Sequence, residues 1–183
     1  NKNIPQEVLT EFTSILNKMG VKYVMIGGLA ISSWFAERFT RDMDLTIELD
    51  QNLWNILNQK LVSSPDIQIK QTCIDTDSSL PSLVRLVYKG YPIDLITSLT
   101  PLQKEAISRG IRTKIFGPEI NLATPEDIII LKLIANRTQD IADIENIIKR
   151  LSDLDFLYIE KWAKEWEVLP LWQELLAKSQ PKH

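Results

Sequence analysis

A pair of glycines between a strand pattern and a helical pattern constrains the fold of this chain more than any other feature. Residues 22–26 form a short apolar run that predicts a strand, and Gly27 and Gly28 follow it directly. Residues 29–38 then resume apolar spacing typical of a helix. A strand, a glycine turn and a helix bring unobstructed backbone N–H groups and the positive end of a helix to one point. The unit therefore predicts a phosphate-binding site.

Three aspartates follow this unit on predicted strands. Asp42 and Asp44 stand two residues apart at the start of a strand predicted over 43–49, so both side chains should share one face, about 7 Å apart at Cα. That spacing lets two carboxylates bracket a hard cation such as Mg²⁺, which also binds substrate phosphates. Asp94, in an otherwise apolar strand at 92–96, is the best candidate for a third carboxylate in a two-metal arrangement.

Each of these signals also has an ordinary structural explanation. A glycine pair is often only a turn, and an Asp-x-Asp pair alone is a weak motif in a chain with 24 acidic residues. Asp94 could be a solvated edge-strand residue or the partner of Arg85. The combination of glycines and acids in this order is much more specific than any one of them.

The remaining apolar periodicity divides the chain into a mixed half, 1–122, and a helical half, 123–183. Thr124 and Pro125 are suited to begin the first helix of the second half, with Asp127 at the reciprocal position of a capping box. Further helices are predicted at 5–19, 51–62, from Pro101, and at 125–136, 139–150, 155–167 and 170–178, and further strands at 67–74, 83–89, 112–116 and 119–122.

Composition excludes several classes of function. The one histidine is His183, the last residue, so zinc sites built on histidine and Ser-His or Cys-His nucleophiles are excluded almost completely. The net charge of −3 gives no global attraction to a polyanion. No apolar run approaches the roughly 20 residues of a membrane span. Although the chain begins at Asn1 rather than Met, we expect a cytoplasmic protein with no membrane partner.

The order of these motifs resembles the DNA polymerase β-like nucleotidyltransferase superfamily. The resemblance rests on Gly27-Gly28, the run from Arg38 through Thr40 to Asp42-Met43-Asp44, and Asp94. It implies an α+β fold with a small mixed β-sheet flanked by helices and a helical C-terminal half packed on that core. It also implies two Mg²⁺ or Mn²⁺ ions on the three acids, Asp94 beside the acceptor, and a nucleoside triphosphate bound at Gly27, Gly28, Arg38 and Thr40. Many members carry a serine where this chain has Gly28.

The second half resembles the helical part of the abortive-infection and minimal nucleotidyltransferases of bacterial toxin–antitoxin systems. The matching positions are the segment 124–127, Lys132, Arg137, Asp140 and Asp143. The resemblance implies that Lys132 contacts phosphate and that Asp140 or Asp143 supplies a further acid at the active site. A lysine extending from an apolar helix and an acid near a helix start are also common structural features.

The expected reaction is transfer of a nucleoside monophosphate from a triphosphate to an acceptor hydroxyl of RNA, a protein or a small molecule. The resemblance implies a place in a toxin–antitoxin or phage-defence system, with a protein partner of such a pair. A basic group on or near the helix from Pro101 could bind RNA, although a solvated surface is the commoner meaning of such a group. The group consists of Lys104, Arg109, Arg112 and Lys114.

One alternative function is that of a catalytically silent fold that acts as a binding module or antitoxin. Another is a haloacid-dehalogenase-like phosphatase, whose Asp-x-Asp-x-Thr motif matches residues 42–46. A glycosyltransferase Asp-x-Asp is a weaker third.

Overall fold

The computed structural model describes residues 4–35, 41–114 and 119–179. The chain divides into two compact units, Asn1–Ala123 and Thr124–His183. The described part of the first unit contains α1 (Gln6–Lys18), β1 (Tyr23–Ile26), α2 (Gly27–Phe35), β2 (Met43–Ile47), α3 (Gln51–Ser63), β3 (Ile67–Ile74), β4 (Pro81–Tyr88), β5 (Tyr91–Thr97), α4 (Pro101–Arg109), β6 (Ile111–Lys114) and β7 (Glu119–Leu122). The second contains α5 (Pro125–Ala135), α6 (Thr138–Arg150), α7 (Phe156–Glu165) and α8 (Leu169–Ser179).

The strands of the first unit form one mixed sheet in the order β3-β4-β5-β2-β1-β7-β6. Strand β2 is antiparallel to β1 and parallel to β5, whereas β1 is parallel to β7. Strands β4 and β5 form a hairpin, as do β6 and β7. The α+β class expected from the sequence, with a mixed sheet followed by a helical C-terminal part, is confirmed. We propose that the two compact units correspond to the two domains expected at 1–122 and 123–183.

Strands β2 and β5 show why the acids remain accessible within a buried sheet. Met43, Leu45, Ile93 and Leu95 are completely buried. Successive side chains of a strand point to opposite faces, so the residue between each pair, Asp44 or Asp94, points away from this apolar layer. Both strands lie in the interior of the sheet, with β5 between β4 and β2. Asp94 is therefore not the edge-strand residue that one structural explanation required.

Helix α2 begins earlier than the sequence predicts. The glycines were expected to form a turn before a helix over residues 29–38, but the helix starts at Gly27, directly after β1. Gly27 has a φ of +70°, which lets the chain change direction within one residue and needs no separate loop. The helix is described as far as Phe35, and residues 36–40 lie outside the described part of the chain.

In the second unit, α5 is fixed at its start by a buried polar contact. The Thr124 hydroxyl accepts a hydrogen bond from the Asp127 N–H and donates one to the Asp127 carboxylate at 2.7 Å. The hydroxyl of Tyr158, on α7, donates to the other carboxylate oxygen at 2.6 Å. Asp127 is completely buried, so these contacts compensate the loss of water around it. Among the described helices, none is long and apolar enough to cross a membrane.

Candidate active site

The start of α2 lies directly against the carboxylate of Asp44. Ile26, the last residue of β1, pairs with Asp44 on β2, so the next residue, Gly27, lies beside the Asp44 side chain. A Cβ atom added to Gly27 would lie only 2.0 Å from Oδ2 of Asp44. Any larger residue at this position would occupy the space of the carboxylate. Besides its role in the turn, Gly27 therefore allows the N-terminus of α2 and the carboxylate of Asp44 to lie directly against each other.

Asp94 lies beside Asp44 on the same face of the sheet. The two residues are register partners on the parallel strands β2 and β5, and neighbouring strands are about 4.8 Å apart. Asp42 is exposed and immediately precedes β2. Of the residues predicted to bind nucleotide, Gly27 and Gly28 are the first two of α2. Arg38 and Thr40 lie outside the described residues.

Arg85 is the residue at this site that sequence reasoning did not include among the functional positions. Its Nε donates to Oδ1 of Asp94 at 2.9 Å and its Nη2 donates to Oδ2 at 2.8 Å, which makes a bidentate pair. Hydrogen bonding to Asp94 raises the pKa of the Arg85 guanidinium. The structural explanation of Asp94 as a partner of Arg85 therefore holds for this contact. It does not move Asp94 away from Asp44.

A sequence signal for the Arg85 contact exists in the turn that joins β4 to β5. Lys89 and Gly90 both have positive φ, at 48° and 86°, as in the two-residue turns that favour tight hairpins. A two-residue turn fixes the register of both strands, so counting back from it places Arg85 opposite Asp94. The sequence predicts strands at 83–89 and 92–96 with Gly90 between them, and the register that a two-residue turn imposes there would have indicated the pair.

The carboxylates fit a hard divalent cation in their chemistry and in their placement on adjacent strands. Oxygen donors are what Mg²⁺ and Mn²⁺ prefer, and Asp44 and Asp94 stand side by side. Among residues 4–35, 41–114 and 119–179, however, no three His, Cys, Asp or Glu side chains are gathered closely enough to hold a metal ion. In the structure, both oxygens of Asp94 are turned to Arg85.

The second group of predicted site residues forms a buried ionic cluster within the helical unit. Lys132 Nζ, on α5, donates to Asp140 at 2.7 Å and to Asp143 at 2.8 Å, both on α6. Arg137 Nε also donates to Asp140 at 2.7 Å, and the Gln139 amide donates to Asp143 at 3.1 Å. The sequence left Asp140 and Asp143 as alternatives for one acidic position. The structure brings both to the same lysine.

The ionic cluster lowers the pKa of Asp140. Burial by itself would raise the pKa of Asp140, but the hydrogen bonds from Arg137 and Lys132 and the charge of Lys132 outweigh it and hold the pKa at about 2. Asp140 is 1% exposed and Lys132 is also buried. A lysine that reaches solvent from an apolar helix, which was the structural explanation of Lys132, is therefore not what the structure shows.

Comparison with family models gives one match, which extends over residues 6–177. The family is described as nucleotidyl transferase of unknown function (DUF2204). The chain belongs to this family. The predicted enzyme class and the resemblance to the polymerase β-like nucleotidyltransferases are thereby confirmed. No curated protein matches the sequence significantly.

Solved structures of nucleotidyltransferases share the fold of this family member. The antigenic nucleotidyltransferase-like protein from Paracoccidioides brasiliensis matches with a TM-score of 0.54 and 20% identity, over 98% of this chain and 96% of that one. The lincosamide antibiotic adenylyltransferase LnuA matches with a TM-score of 0.55 and 19% identity, over 80% and 98%. The antibiotic-resistance factor ANT(2'')-Ia matches with a TM-score of 0.58 and 12% identity, over 95% and 97%. At these identities the likeness shows the fold alone.

The family gives no support to the phosphatase or glycosyltransferase interpretations of the Asp-x-Asp motif. The basic residues considered for RNA binding lie on α4 and β6 of this nucleotidyltransferase, where Arg109 is half-buried and Lys104, Arg112 and Lys114 are exposed.

Proposed function

We propose that this protein transfers a nucleoside monophosphate from a nucleoside triphosphate to an acceptor hydroxyl, at a site formed by Asp42, Asp44 and Asp94 and dependent on Mg²⁺ or Mn²⁺. The observation that carries the proposal is the contact between Gly27 and Asp44, since a Cβ at Gly27 would lie 2.0 Å from the carboxylate. A helix N-terminus attracts phosphate and a carboxylate repels it. The N-terminus of α2 and the Asp44 carboxylate can both bind the same triphosphate if a divalent cation lies between the carboxylate and the phosphate.

The chain's own residues can bind and orient both reactants. Backbone N–H groups at the start of α2, at Gly27 and Gly28, bind the triphosphate. Asp42 and Asp44 are the residues that would hold the divalent cation, and Asp94 orients the acceptor hydroxyl and takes its proton. The acceptor oxygen then forms a bond to the α-phosphorus as the bond to the β-phosphate oxygen breaks and pyrophosphate leaves. A bound divalent cation would neutralise charge on the phosphates.

A small molecule with a free hydroxyl is the acceptor class to test first, with ATP as the donor. Two structures that share the fold support this order, because LnuA was solved with lincomycin bound and ANT(2'')-Ia with adenylyl-2''-tobramycin. RNA and protein acceptors, and a place in a toxin–antitoxin or phage-defence system, remain predictions from the resemblance. The phosphate contact predicted for Lys132 and the active-site role predicted for Asp140 also remain predictions. The ionic cluster of the helical unit already engages both side chains.

The test is a transfer assay with the four α-labelled triphosphates, Mg²⁺ or Mn²⁺, and separate small-molecule, RNA and protein acceptors. Asp42→Asn and Asp44→Asn remove charge at nearly constant volume, so each should abolish transfer with the fold intact. Asp77→Asn, an exposed acid in the turn before β4, is the matched control and should retain full activity. Unaltered turnover in the Asp42 or Asp44 variant would contradict the assignment.

The silent-fold alternative is separated from the enzyme by calorimetric titration. An enzyme should bind its triphosphate only when the divalent cation is present, and Asp44→Asn should lose that dependence. A binding module without transfer activity need not show either effect. Triphosphate binding that does not depend on the cation, without labelled product on any acceptor class, would favour the silent fold.

A further inference from the structure

We propose that Arg85 is a positioning residue that competes with the divalent cation for Asp94, so that the Arg85–Asp94 pair and a metal bound by Asp44 and Asp94 exclude each other. The inference rests on the proposed function, because it assumes that the carboxylates bind metal. It adds a residue that neither the family nor the sequence motif assigns. Its role is to hold the third carboxylate in the metal-free enzyme and to release it when the cation binds.

The first observation is that the guanidinium occupies the donor atoms a metal would need. Nε of Arg85 contacts Oδ1 of Asp94 at 2.9 Å and Oδ2 at 3.3 Å, and Nη2 contacts Oδ2 at 2.8 Å. A carboxylate engaged by a planar guanidinium on both oxygens offers few lone pairs toward any other cation. A metal that takes Asp94 as a ligand must therefore weaken or break at least one of these hydrogen bonds.

The second observation is the order of the charged residues across the sheet. Arg85 pairs with Asp94 across β4 and β5, and Asp94 pairs with Asp44 across β5 and β2. The three side chains therefore form one row on one face, with Asp94 between a cation on one side and a second carboxylate on the other. The charge of Asp44 also reaches Arg85. Asp94 can thus be neutralised either from the Arg85 side or by a metal shared with Asp44.

The third observation is that Arg85 can leave while Asp94 stays. The Arg85 side chain is 51% exposed, whereas that of Asp94 is 21% exposed. A half-exposed arginine can move into solvent on its flexible stem, and it keeps its charge at all accessible pH values. A carboxylate on an interior strand cannot move far, because its backbone is held by both neighbouring strands. The exchange should therefore occur by movement of Arg85.

The test is direct titration of the nucleotide-free protein with Mn²⁺, with free metal measured by electron paramagnetic resonance. Arg85→Gln removes the competing charge and the fork of donors, so it should tighten Mn²⁺ binding about three- to tenfold. Arg85→Lys keeps a charge but contacts one oxygen at a time, so its affinity should lie between the two. Lys60→Gln, on the exposed side of α3, removes the same charge elsewhere in this unit and should leave the affinity unchanged.

A second measurement separates competition from a purely structural role. If Arg85 and metal compete, Mn²⁺ should raise the melting temperature of Arg85→Gln more than that of the unaltered protein. Equal shifts together with unchanged Mn²⁺ affinity would overturn the inference. Weaker Mn²⁺ binding in Arg85→Gln would also overturn it, because that result would mean that Arg85 presents Asp94 to the metal.

Asp94→Asn distinguishes failure of this inference from failure of the proposed function. If Asp94→Asn binds Mn²⁺ with the same affinity as the unaltered protein, Asp94 is not a metal ligand and both proposals fail at this residue. If Asp94→Asn loses affinity while Arg85→Gln does not change it, the metal site stands and only the competition is refuted.

Discussion

Replacement of Lys132 by methionine should destabilise the helical unit strongly, because the lysine holds two buried acids. Its Nζ lies 2.7 Å from Asp140 and 2.8 Å from Asp143, and these acids are 1% and 5% exposed. A lysine that only covered an apolar surface with its stem would tolerate this change, since methionine preserves most of the stem. In the ionic cluster the change removes the Lys132 ammonium and leaves both buried carboxylates in place.

The magnitude follows from what remains around each acid. Removal of one partner of a buried ion pair generally costs about 3–5 kcal/mol, because an uncompensated charge stays in the interior. Arg137 still contacts Asp140 at 2.7 Å, and the Gln139 amide still donates to Asp143 at 3.1 Å. These contacts place the expected loss near the lower limit, at about 3 kcal/mol of the free energy of unfolding.

The assay is urea unfolding followed by tryptophan fluorescence, since Trp162 and Trp172 are buried in the helical unit. Adding Asp143→Asn to Lys132→Met removes the stranded charge, so the double variant should be more stable than the sum of the two single losses predicts. Lys178→Met, which breaks an exposed pair with Glu174, is the control and should change stability little. Unchanged stability in Lys132→Met would refute this reasoning, and a selective loss of turnover would restore the predicted phosphate contact.

Two further predictions concern a glycine and the response to acid. Gly27→Ala should lower both stability and metal binding, because its Cβ would collide with the Asp44 carboxylate. Gly20→Ala is the control, since Gly20 has a similar φ of +71° but open space around it. Calorimetry on both variants therefore separates the effect of the collision from the cost of the backbone conformation. Gly27→Ala that binds Mn²⁺ normally would contradict the close approach. The pKa of Asp140, about 2 in the folded state against an ordinary 3.8, contributes stability that is complete above about pH 5 and lost as the pH falls toward 2. Denaturant unfolding between pH 5 and pH 2 should show a loss of about 2 kcal/mol from this group, and Asp140→Asn should reduce that slope.

Elements that depend on local periodicity were predicted well. Helix α1 was expected at 5–19 and lies at Gln6–Lys18, and α6 was expected at 139–150 and lies at Thr138–Arg150. Both have apolar residues at helical spacing and buried faces that match it. The hydrophobic face of an amphipathic helix is encoded in neighbouring residues, so a short window of sequence contains the information.

Contacts between residues far apart in the chain could not be predicted from such short windows of sequence. Tyr158 lies 31 residues from Asp127, and no local pattern indicates that its hydroxyl donates to that carboxylate. Asp127 was predicted only as a capping residue, which explains its contact with Thr124 but not its complete burial. A buried acid needs every oxygen satisfied, and which residue supplies the second donor depends on how α7 packs on α5.

The sequence by itself determined the class of fold, the glycine pair, and the positions of Asp44 and Asp94 on two strands with Asp42 directly before the first of them, because strand alternation and turn residues act over a few residues. Tertiary structure alone decided which charges meet. Sheet order placed Asp94 between Arg85 and Asp44, and helix packing gave Lys132 two acids where the sequence had offered a choice of one. Charge pairing depends on distances of 3 Å between side chains far apart in the chain, and those distances are fixed only when strands and helices have packed.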